Sequence, residues 1–245
     1  MSGRFFTVGD IHGCAPELEA LLRGLGLAAG DTVAFVGDYI DRGTASSEVI
    51  DQLIALRKRK DIRTIFLKGN HEDMCLSYLG RAGHWGEAWH LNGGVATLRS
   101  WGIDPQMPGS EAVEALPDGH LEFLESLVPT FMTERWLLVH AGIRPDVPLA
   151  KQDEEDLFWI REDFIAQPHA LPQTVIYGHT PTRRVHLNLP YKIGIDTGCV
   201  YGGLLTCLEL ESGTLYQVAY GEKTVRESRL VAASGRAVAG ARGPV

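Results

Sequence analysis

Three stretches in the first third of the chain decide the fold: RFFTVGDIHG at residues 4–13, TVAFVGDYIDRG at residues 32–43 and IRTIFLKGNHE at residues 62–72. Each is a short apolar run, typical of a buried strand, that leads into a polar loop containing glycine. A pattern of one apolar helix face follows each loop, at residues 16–25, 46–57 and 71–79. The repeated succession of strand, loop and helix predicts an α/β fold with adjacent, mainly parallel strands.

The rest of the chain changes character twice. Residues 80–130 contain short helical pieces separated by glycine and three tryptophans, which predicts a helical insertion beside the sheet. Residues 131–139 are predicted to be a strand, and residues 174–219 are rich in strand patterns. We therefore expect a single domain over residues 1–225. The tail at 226–245 is rich in alanine, glycine, arginine and serine without periodicity, so we expect it to be partly disordered.

The composition, with 44% apolar and 22% charged residues, is that of an ordinary soluble globular protein. A net charge of −8 argues against a surface for nucleic acid or anionic membrane, because polyanions would be repelled. The N-terminus leads directly into a strand, without the pattern of a signal peptide. The four cysteines are scattered, as in a reducing compartment. We expect a cytoplasmic protein that binds neither nucleic acid nor membrane, with a monomer as the default.

Five predicted strands end in loops that carry potential metal ligands. The loops are GDIHG at 9–13, GDYIDRG at 37–43, GNHE at 69–72, HAG at 140–142 and GHT at 178–180. The carboxyl ends of such strands meet at one edge of a sheet, so we expect the loops to converge. Carboxylate, imidazole and amide donors without thiolate suit Mn²⁺, Fe or Zn²⁺, and six of them suit two ions that share a carboxylate. The candidate ligands are Asp10, His12, Asp38, Asn70, His140 and His179.

Together the five motifs resemble those of the phosphoprotein phosphatase family of metallophosphoesterases, and most closely its compact bacterial and phage-type serine/threonine phosphatases. The resemblance covers residues 4–210. It implies a central β-sandwich flanked by helices, with an active site at the strand ends that holds two divalent ions, of which Mn²⁺ is the expected one. It also implies that hydroxide activated by the two metals attacks phosphorus directly. The implied substrate is a phosphorylated protein or small phosphoester. The phosphorylated residues that it would hydrolyse are phosphoserine, phosphothreonine and also phosphotyrosine.

The resemblance assigns a role to each matched ligand. Asp10 and His12 would bind the first metal, and Asp38 would bridge both ions. The second metal would be completed by Asn70, His140 and His179.

The resemblance also assigns the remaining catalytic roles. His71 resembles the general acid that protonates the leaving alkoxide. Asp41 resembles its partner, which would hold the imidazole tautomer and raise the pKa of His71. Arg42 resembles one phosphate clamp, and Asn70 is expected to contact the same phosphate. The second clamp is expected at Arg161, within LFWIR at 157–161, with Arg144 as the competing candidate.

Three other functions fit parts of the sequence. One is a symmetrical dinucleoside polyphosphate hydrolase of the same superfamily, but the intact Asp41-Arg42 pair favours the monoesterase. A catalytically silent scaffold would have lost ligands or the acid, and none is missing. A nucleotide-binding module would carry Gly-x-x-x-x-Gly-Lys-Ser/Thr, or Gly-x-Gly-x-x-Gly after the first strand, and neither is present. The insertion at 80–130, with its tryptophans, is the expected source of substrate specificity.

Overall fold

The computed structural model describes residues 3–230. The first half alternates strands and helices and then becomes helical: β1 (Phe5–Val8), α1 (Ala15–Leu25), β2 (Thr32–Phe35), α2 (Ser46–Arg57), β3 (Arg63–Phe66), α3 (Asn70–Tyr78), α4 (Gly94–Ser100), α5 (Gly109–Ala112) and α6 (His120–Glu125). The second half is mainly strand: β4 (Thr130–Met132), β5 (Trp136–Val139), α7 (Glu154–Trp159), α8 (Glu162–Ile165), β6 (Thr174–Tyr177), β7 (His186–Asn188), β8 (Lys192–Gly194), β9 (Leu204–Glu209), β10 (Thr214–Ala219) and β11 (Val225–Arg229).

These strands form two mixed sheets. The first has the order β11-β10-β9-β1-β2-β3, in which β1, β2 and β3 are parallel neighbours and β9, β10 and β11 are antiparallel. The second has the order β4-β5-β6-β8-β7, with parallel pairing from β5 through β6 to β8. The predicted parallel arrangement therefore holds for the strands whose loops carry the ligand motifs.

The alternation of side chains along β2 explains how the two sheets pack. Val33 and Phe35 point to one face, where they join a core formed with α1 and α2. Ala34 and Val36 point to the other face, where they pack against Ile176 and other residues of the second sheet. Each such buried aliphatic or aromatic side chain stabilises the fold by about 1.5–3 kcal/mol. The result is a β-sandwich with helices on its outer faces, as the resemblance implied.

Helices α7 and α8 pack on the outer face of the second sheet. Val175 and Tyr177 of β6 point away from the first sheet and pack against Phe158 of α7 and Phe164 of α8. The central strands of both sheets are therefore buried on both faces, which places their ends, rather than their faces, within reach of solvent. The ligand-bearing loops lie at those ends.

The predicted insertion is helical, as expected, and consists of α4, α5 and α6 with short 3₁₀ turns at Gly86–Ala88, His90–Asn92 and Val113–Ala115. It packs against α2 and α3, and it contributes Trp89 and Trp101 to the core around α2. Across residues 3–230, no helix has both the length and the apolar character needed to cross a membrane.

Two boundaries differ from the sequence prediction. The domain does not end at residue 225, because β11 pairs with β10 along its whole length and the described chain reaches Leu230. This strand is mostly exposed at the sheet edge, so it lacks the apolar alternation that a half-buried strand shows. The predicted disorder of the remaining tail falls on residues 231–245, outside the described part. The single strand predicted at 131–139 is an antiparallel pair, β4 and β5, joined by a turn that Thr133 closes.

Candidate metal centre

The six candidate metal ligands lie together at one edge of the two sheets, and all six are buried. In chain order they are Asp10 and His12 after β1, Asp38 after β2, Asn70 after β3, His140 after β5 and His179 after β6. The two sheets thus contribute to the same cluster, since the carboxyl ends of their central strands face the same side of the sandwich.

The carboxylate of Asp38 lies at the middle of this cluster. Its Oδ2 is 3.3 Å from Nε2 of His12, and its Oδ1 is 3.3 Å from Nε2 of His140. Two sets of possible ligands therefore share Asp38, one with His12 and His71 and the other with His140 and His179. This arrangement presents one carboxylate oxygen to each set, which is the geometry a bridging ligand requires.

Two of the histidines are oriented by backbone carbonyls. Nδ1 of His12 is 2.8 Å from the carbonyl oxygen of Ile40, and Nδ1 of His140 is 2.8 Å from that of Val36. A proton on Nδ1 satisfies each of these hydrogen bonds and leaves the lone pair of Nε2 directed at Asp38. Histidines that bind metals are usually held in this way, with one ring nitrogen donating to an outer acceptor.

Several buried polar atoms of the cluster have no hydrogen-bond partner within residues 3–230. They are Oδ1 of Asp10, Nε2 of His71 and Nε2 of His179. An unsatisfied buried polar group costs about 1–3 kcal/mol, so three in one place indicate a missing ligand. Asn70 adds an amide oxygen 3.0 Å from Nε2 of His140 and 3.0 Å from Nδ1 of His179. Imidazole, carboxylate and amide donors of this kind fit divalent ions such as Mn²⁺, Fe²⁺ or Zn²⁺.

The electrostatics of the cluster also favour positive charge. Burial raises the pKa of Asp10 well above its ordinary value, and the charges of two other carboxylates raise it further. Burial acts in the same direction on Asp38, but His140, His71 and His12 together outweigh it and hold the pKa of Asp38 well below its usual range. Burial, aided by the charge of His140, lowers the pKa of His179 well below that of a free histidine. A buried cluster that holds several carboxyl groups close together is a site that cations would stabilise.

His71 and Asp41 form a buried pair beside the ligands. Nδ1 of His71 lies 2.6 Å from Oδ2 of Asp41, while Nε2 of His71 lies 3.9 Å from Oδ2 of Asp38. Asp41 accepts two further hydrogen bonds, from the indole of Trp89 at 2.8 Å and from the hydroxyl of Thr97 at 2.7 Å. Nδ1 of His71 is therefore hydrogen-bonded to Asp41, and Nε2 faces the candidate metal ligands.

Asp41 raises the pKa of His71, as expected, through its hydrogen bond and its charge, but the net shift is in the opposite direction. The pKa of His71 is lowered, because burial penalises the imidazolium more than Asp38 and Asp41 stabilise it. Asp41 does retain the other expected role, because its carboxylate accepts from Nδ1 and so orients the ring.

Arg42 reaches the cluster directly. Its Nη1 contacts Nε2 of His12, and its Cζ lies 5.5 Å from the ring centroid of Tyr201. Tyr201 is 61% exposed, so the guanidinium sits between the buried ligands and an open aromatic ring. Arg42 is half-buried, and its remaining N–H groups can face a bound anion.

The other two arginines occupy different positions. Arg161 is exposed between α7 and α8, near enough to His179 for its charge to lower the pKa of that histidine. Arg144 is paired with carboxylates on the protein surface, 2.5 Å from Oδ1 of Asp156 and 3.5 Å from Oδ2 of Asp163. Arg161 thus lies beside the centre, whereas Arg144 is held by other partners.

The backbone of the site is unusual. Five non-glycine residues of the site adopt the left-handed region, which costs an L-residue roughly 1–2 kcal/mol. Two glycines are required nearby, because a Cβ at Gly69 would collide with the carboxylate of Asp38 and one at Gly178 with that of Asp10. Such strain is typical of functional sites that the surrounding fold holds in place. The five residues and their φ angles are His12 (46°), Asp38 (54°), Asp41 (74°), Arg42 (68°) and His179 (63°).

The residues that support the acid pair were not identified from the sequence, and neither was Glu72, which supports the loops. Trp89 and Thr97 come from the insertion, and no local motif connects them with Asp41. Glu72 is fully buried and accepts hydrogen bonds from the backbone N–H groups of Asp38 at 2.9 Å and Tyr39 at 2.8 Å. Burial raises the pKa of Glu72 to about 7. Its place as the last residue of the third motif, GNHE at 69–72, was the available signal.

The two facing sheets and the buried cluster of histidine, carboxylate and amide at their strand ends define a metal-dependent hydrolase. The chain belongs to the calcineurin-like phosphoesterase family, whose model matches residues 3–221. This confirms the resemblance to metallophosphoesterases at the level of the whole family.

Relatives and solved structures extend the comparison. A bis(5'-nucleosyl)-tetraphosphatase PrpE [asymmetrical] of Halalkalibacterium halodurans is 30% identical over 230 residues, covering 84% of this chain and 89% of the relative. A protein of the same name from Geobacillus thermodenitrificans is 30% identical over 238 residues, covering 86% and 92%.

Two crystal structures share the fold. One, of a proposed diadenosine tetraphosphatase, has a TM-score of 0.67 with 24% identity and covers 89% of this chain and 94% of that one. The other, a cold-active protein-tyrosine phosphatase of a Shewanella species, has a TM-score of 0.60 with 17% identity and covers 93% and 80%. At these identities the structures support the fold alone.

Proposed function

We propose that this protein is a metal-dependent hydrolase of dinucleoside tetraphosphates that cleaves asymmetrically, to a nucleoside monophosphate and a nucleoside triphosphate. The substrate class is supported by relatives of that activity, which match most of the chain. The intact Asp41-Arg42 pair, expected to favour a phosphomonoesterase, therefore does not decide the substrate. The proposal also differs from the symmetrical cleavage considered from the sequence.

The observation that carries the hydrolytic chemistry is the sharing of Asp38 between two sets of ligands. We propose that Asp10 and His12 hold one divalent ion with Asp38, and that Asn70, His140 and His179 hold a second one. Such a pair, when bound, supplies Lewis acidity and lowers the pKa of a shared water to near neutrality. Mn²⁺ is our first candidate, with Fe and Zn²⁺ as the others that the donor set suits.

The protein's own residues orient the phosphate chain. Arg42 and Arg161 flank the cluster and would pair with phosphoryl oxygens, whose negative charge a planar guanidinium matches with two hydrogen bonds. Asn70 would add its amide N–H groups, because its oxygen is directed at His140 and His179. Arg144 is not needed, since its guanidinium is paired elsewhere.

His71, when its ring carries a proton on both nitrogens, is placed to supply a proton on the leaving-group side. Asp41 holds Nδ1, so that Nε2 is the atom that faces the centre. General acids of this type contribute about 10²- to 10⁴-fold when the leaving group is a poor one. A phosphoanhydride leaves as a stable anion and gains less from protonation than an alkoxide does.

The intact His71–Asp41 pair also favours a second candidate function, hydrolysis of phosphoserine or phosphothreonine in proteins, where the leaving alkoxide needs the proton. The test compares diadenosine tetraphosphate with a phosphoserine peptide at equal enzyme and Mn²⁺ concentrations, with products separated by chromatography. We expect AMP and ATP as products and a higher kcat/KM for the dinucleotide. Two molecules of ADP would contradict asymmetrical cleavage, and faster release of phosphate from the peptide would favour the second function.

The variant His71→Asn separates the two functions further. We expect it to lower turnover of the phosphopeptide by about 10²-fold or more and turnover of diadenosine tetraphosphate by much less. His186→Asn is the matched control, because His186 lies on the edge strand β7 and bonds to the hydroxyl of Tyr177 at 2.7 Å, away from the ligands. Equal losses on both substrates in His71→Asn would argue against an acid role.

A further inference from the structure

A groove of about 400 Å³ lies beside the metal centre, between the insertion and α7. Both of its walls are connected to the centre. The ring of Trp159 meets the ring of His179 edge-on, at 6.1 Å between centroids. On the opposite wall, Asn92 precedes Gly93, whose carbonyl accepts a hydrogen bond from the backbone N–H of Arg42 at 3.4 Å. The residues lining the groove are Trp85, Ala88, Asn92, Glu155 and Trp159.

Trp85 lines this groove with an exposed side chain and a strained backbone. Its side chain is 49% exposed, and its backbone has a φ of 59°, in the left-handed region. Outside the metal centre it is the one non-glycine residue of the described chain in that region. A bulky residue is sterically strained at this φ, and an exposed indole loses the free energy that burial would give. The surrounding fold therefore holds Trp85 in a conformation that is locally unfavourable in two respects. An aromatic ring held open in this manner suits a ligand with a flat face.

Trp159 and Glu155, which both line the groove, each carry a polar group without a partner in the described part of the chain. The indole Nε1 of Trp159 is buried and has no acceptor within residues 3–230, although a buried N–H without a partner costs about 1–3 kcal/mol. The carboxylate of Glu155 is exposed on α7 and forms no hydrogen bond or ion pair with the described residues. The groove thus combines two indole rings with one exposed acceptor, the carboxylate of Glu155.

We propose that this groove binds the base of one nucleoside of the substrate, and that the base is one with an exocyclic amine, such as adenine. The inference rests on the proposed function, because it names the part of the dinucleotide that lies beyond the phosphates. A base would stack on Trp85 and Trp159 and donate its amine hydrogen to Glu155. A phosphoserine or phosphothreonine peptide lacks a flat aromatic group at a fixed distance from its phosphate, so the groove would favour the dinucleotide over such a peptide.

The first test measures how far substrate preference depends on Trp85. For Trp85→Ala we expect the ratio of kcat/KM for diadenosine tetraphosphate to that for p-nitrophenyl phosphate to fall about 10- to 100-fold, the equivalent of one stacked base. Leu91→Ala is the matched control, since Leu91 is 92% exposed in the same insertion and does not line the groove. A ratio that Trp85→Ala leaves unchanged, in an enzyme that does hydrolyse the dinucleotide, overturns the inference.

The second test examines the role of Glu155. Wild-type enzyme is expected to prefer diadenosine tetraphosphate to diuridine tetraphosphate, because uracil has no exocyclic amine. Glu155→Ala, which removes the acceptor, should reduce this preference without a comparable change for p-nitrophenyl phosphate. A preference that is the same in both proteins contradicts the assigned contact.

A third measurement separates failure of this inference from failure of the proposed function. Adenosine, which has no phosphate, is titrated into the wild-type protein and into Trp85→Ala while tryptophan emission is recorded. Saturable quenching in the wild type that Trp85→Ala abolishes supports the groove, even if the enzyme hydrolyses no dinucleotide. Absence of quenching, or quenching that the variant retains, overturns it.

Discussion

Trp89→Phe is expected to weaken catalysis from a position that touches neither metal nor substrate. The indole N–H of Trp89 donates to Oδ2 of Asp41 at 2.8 Å, and the same oxygen lies 2.6 Å from Nδ1 of His71. Phenylalanine keeps an aromatic ring in the core but removes the donor. Asp41 then retains only Thr97 and His71 as side-chain donors, so the position of the carboxylate, and with it that of the His71 ring, is less well determined.

The size of the effect follows from this one hydrogen bond. A bond to a charged acceptor contributes about 1.5–3 kcal/mol, and Asp41 is fully buried, so water does not replace the lost donor. If half of that energy is lost in the transition state, kcat falls by about 3- to 12-fold. The loss should be larger for phenyl phosphate than for p-nitrophenyl phosphate, since the poorer leaving group depends more on protonation by His71.

Trp101→Phe provides the matched control. Trp101 lies in the same insertion and donates its indole N–H to Nδ1 of His120 at 2.9 Å, so this variant also removes one indole hydrogen bond from the same core. We expect both variants to lower the free energy of unfolding, measured in urea, but only Trp89→Phe to change the ratio of kcat on the two aryl phosphates. An equal change of that ratio in Trp101→Phe would show that loosening the insertion, rather than the contact with Asp41, controls the acid.

Asp38→Asn removes the charge shared by both ligand sets, so elemental analysis should find less than one Mn²⁺ per chain where the wild type holds two; two retained ions would refute a shared carboxylate. Removal of metal by a chelator should lower the Tm, because Asp10 and Asp38 are buried acids that cations stabilise. Mn²⁺ at about 100 times its Kd should raise the free energy of unfolding by about 2.7 kcal/mol. A Tm that does not respond to Mn²⁺ would contradict this prediction. Burial lowers the pKa of His140, but Asp38 outweighs burial and raises it, so the metal-free protein keeps a proton on His140 to a higher pH than a free histidine would. That contribution to stability is present below the ordinary histidine pKa and is lost as the pH rises through the raised one. Because a metal must displace this proton, the affinity for Mn²⁺ should fall as the pH is lowered. Calorimetric titration at several pH values measures this affinity, and an affinity that does not change with pH would contradict the prediction.

Much of the centre could be predicted from the sequence because each ligand has a local signal. Asp10 and Asp38 follow apolar runs that form strands by themselves, and each stands beside a glycine. Once the strands are adjacent and parallel, geometry places their carboxyl ends at one edge. Predicting that the candidate ligands cluster therefore needed no knowledge of side-chain packing.

Other features depended on contacts that no local pattern encodes. The strand β11 is held by its pairing with β10, and its exposed, charged residues have no apolar alternation. The pKa of His71 depends on the balance between burial and two carboxylates, and only the tertiary structure specifies how deeply the ring is buried. The two candidate arginines look alike in the sequence, and Arg144 is distinguished by its ion pairs with Asp156 and Asp163.

The sequence by itself determined the chemistry of the donors: oxygen and imidazole ligands at strand ends, with a histidine and an aspartate that could form an acid pair. The tertiary structure decided what surrounds them. It brings Trp89 and Thr97, 48 and 56 residues further along the chain, onto Asp41, and it sets Trp85 opposite Trp159 beside the ligands. The physical reason is that strand ends follow from short-range periodicity, whereas the walls of the site arise from long-range packing of the insertion on the core, which the packed fold as a whole specifies.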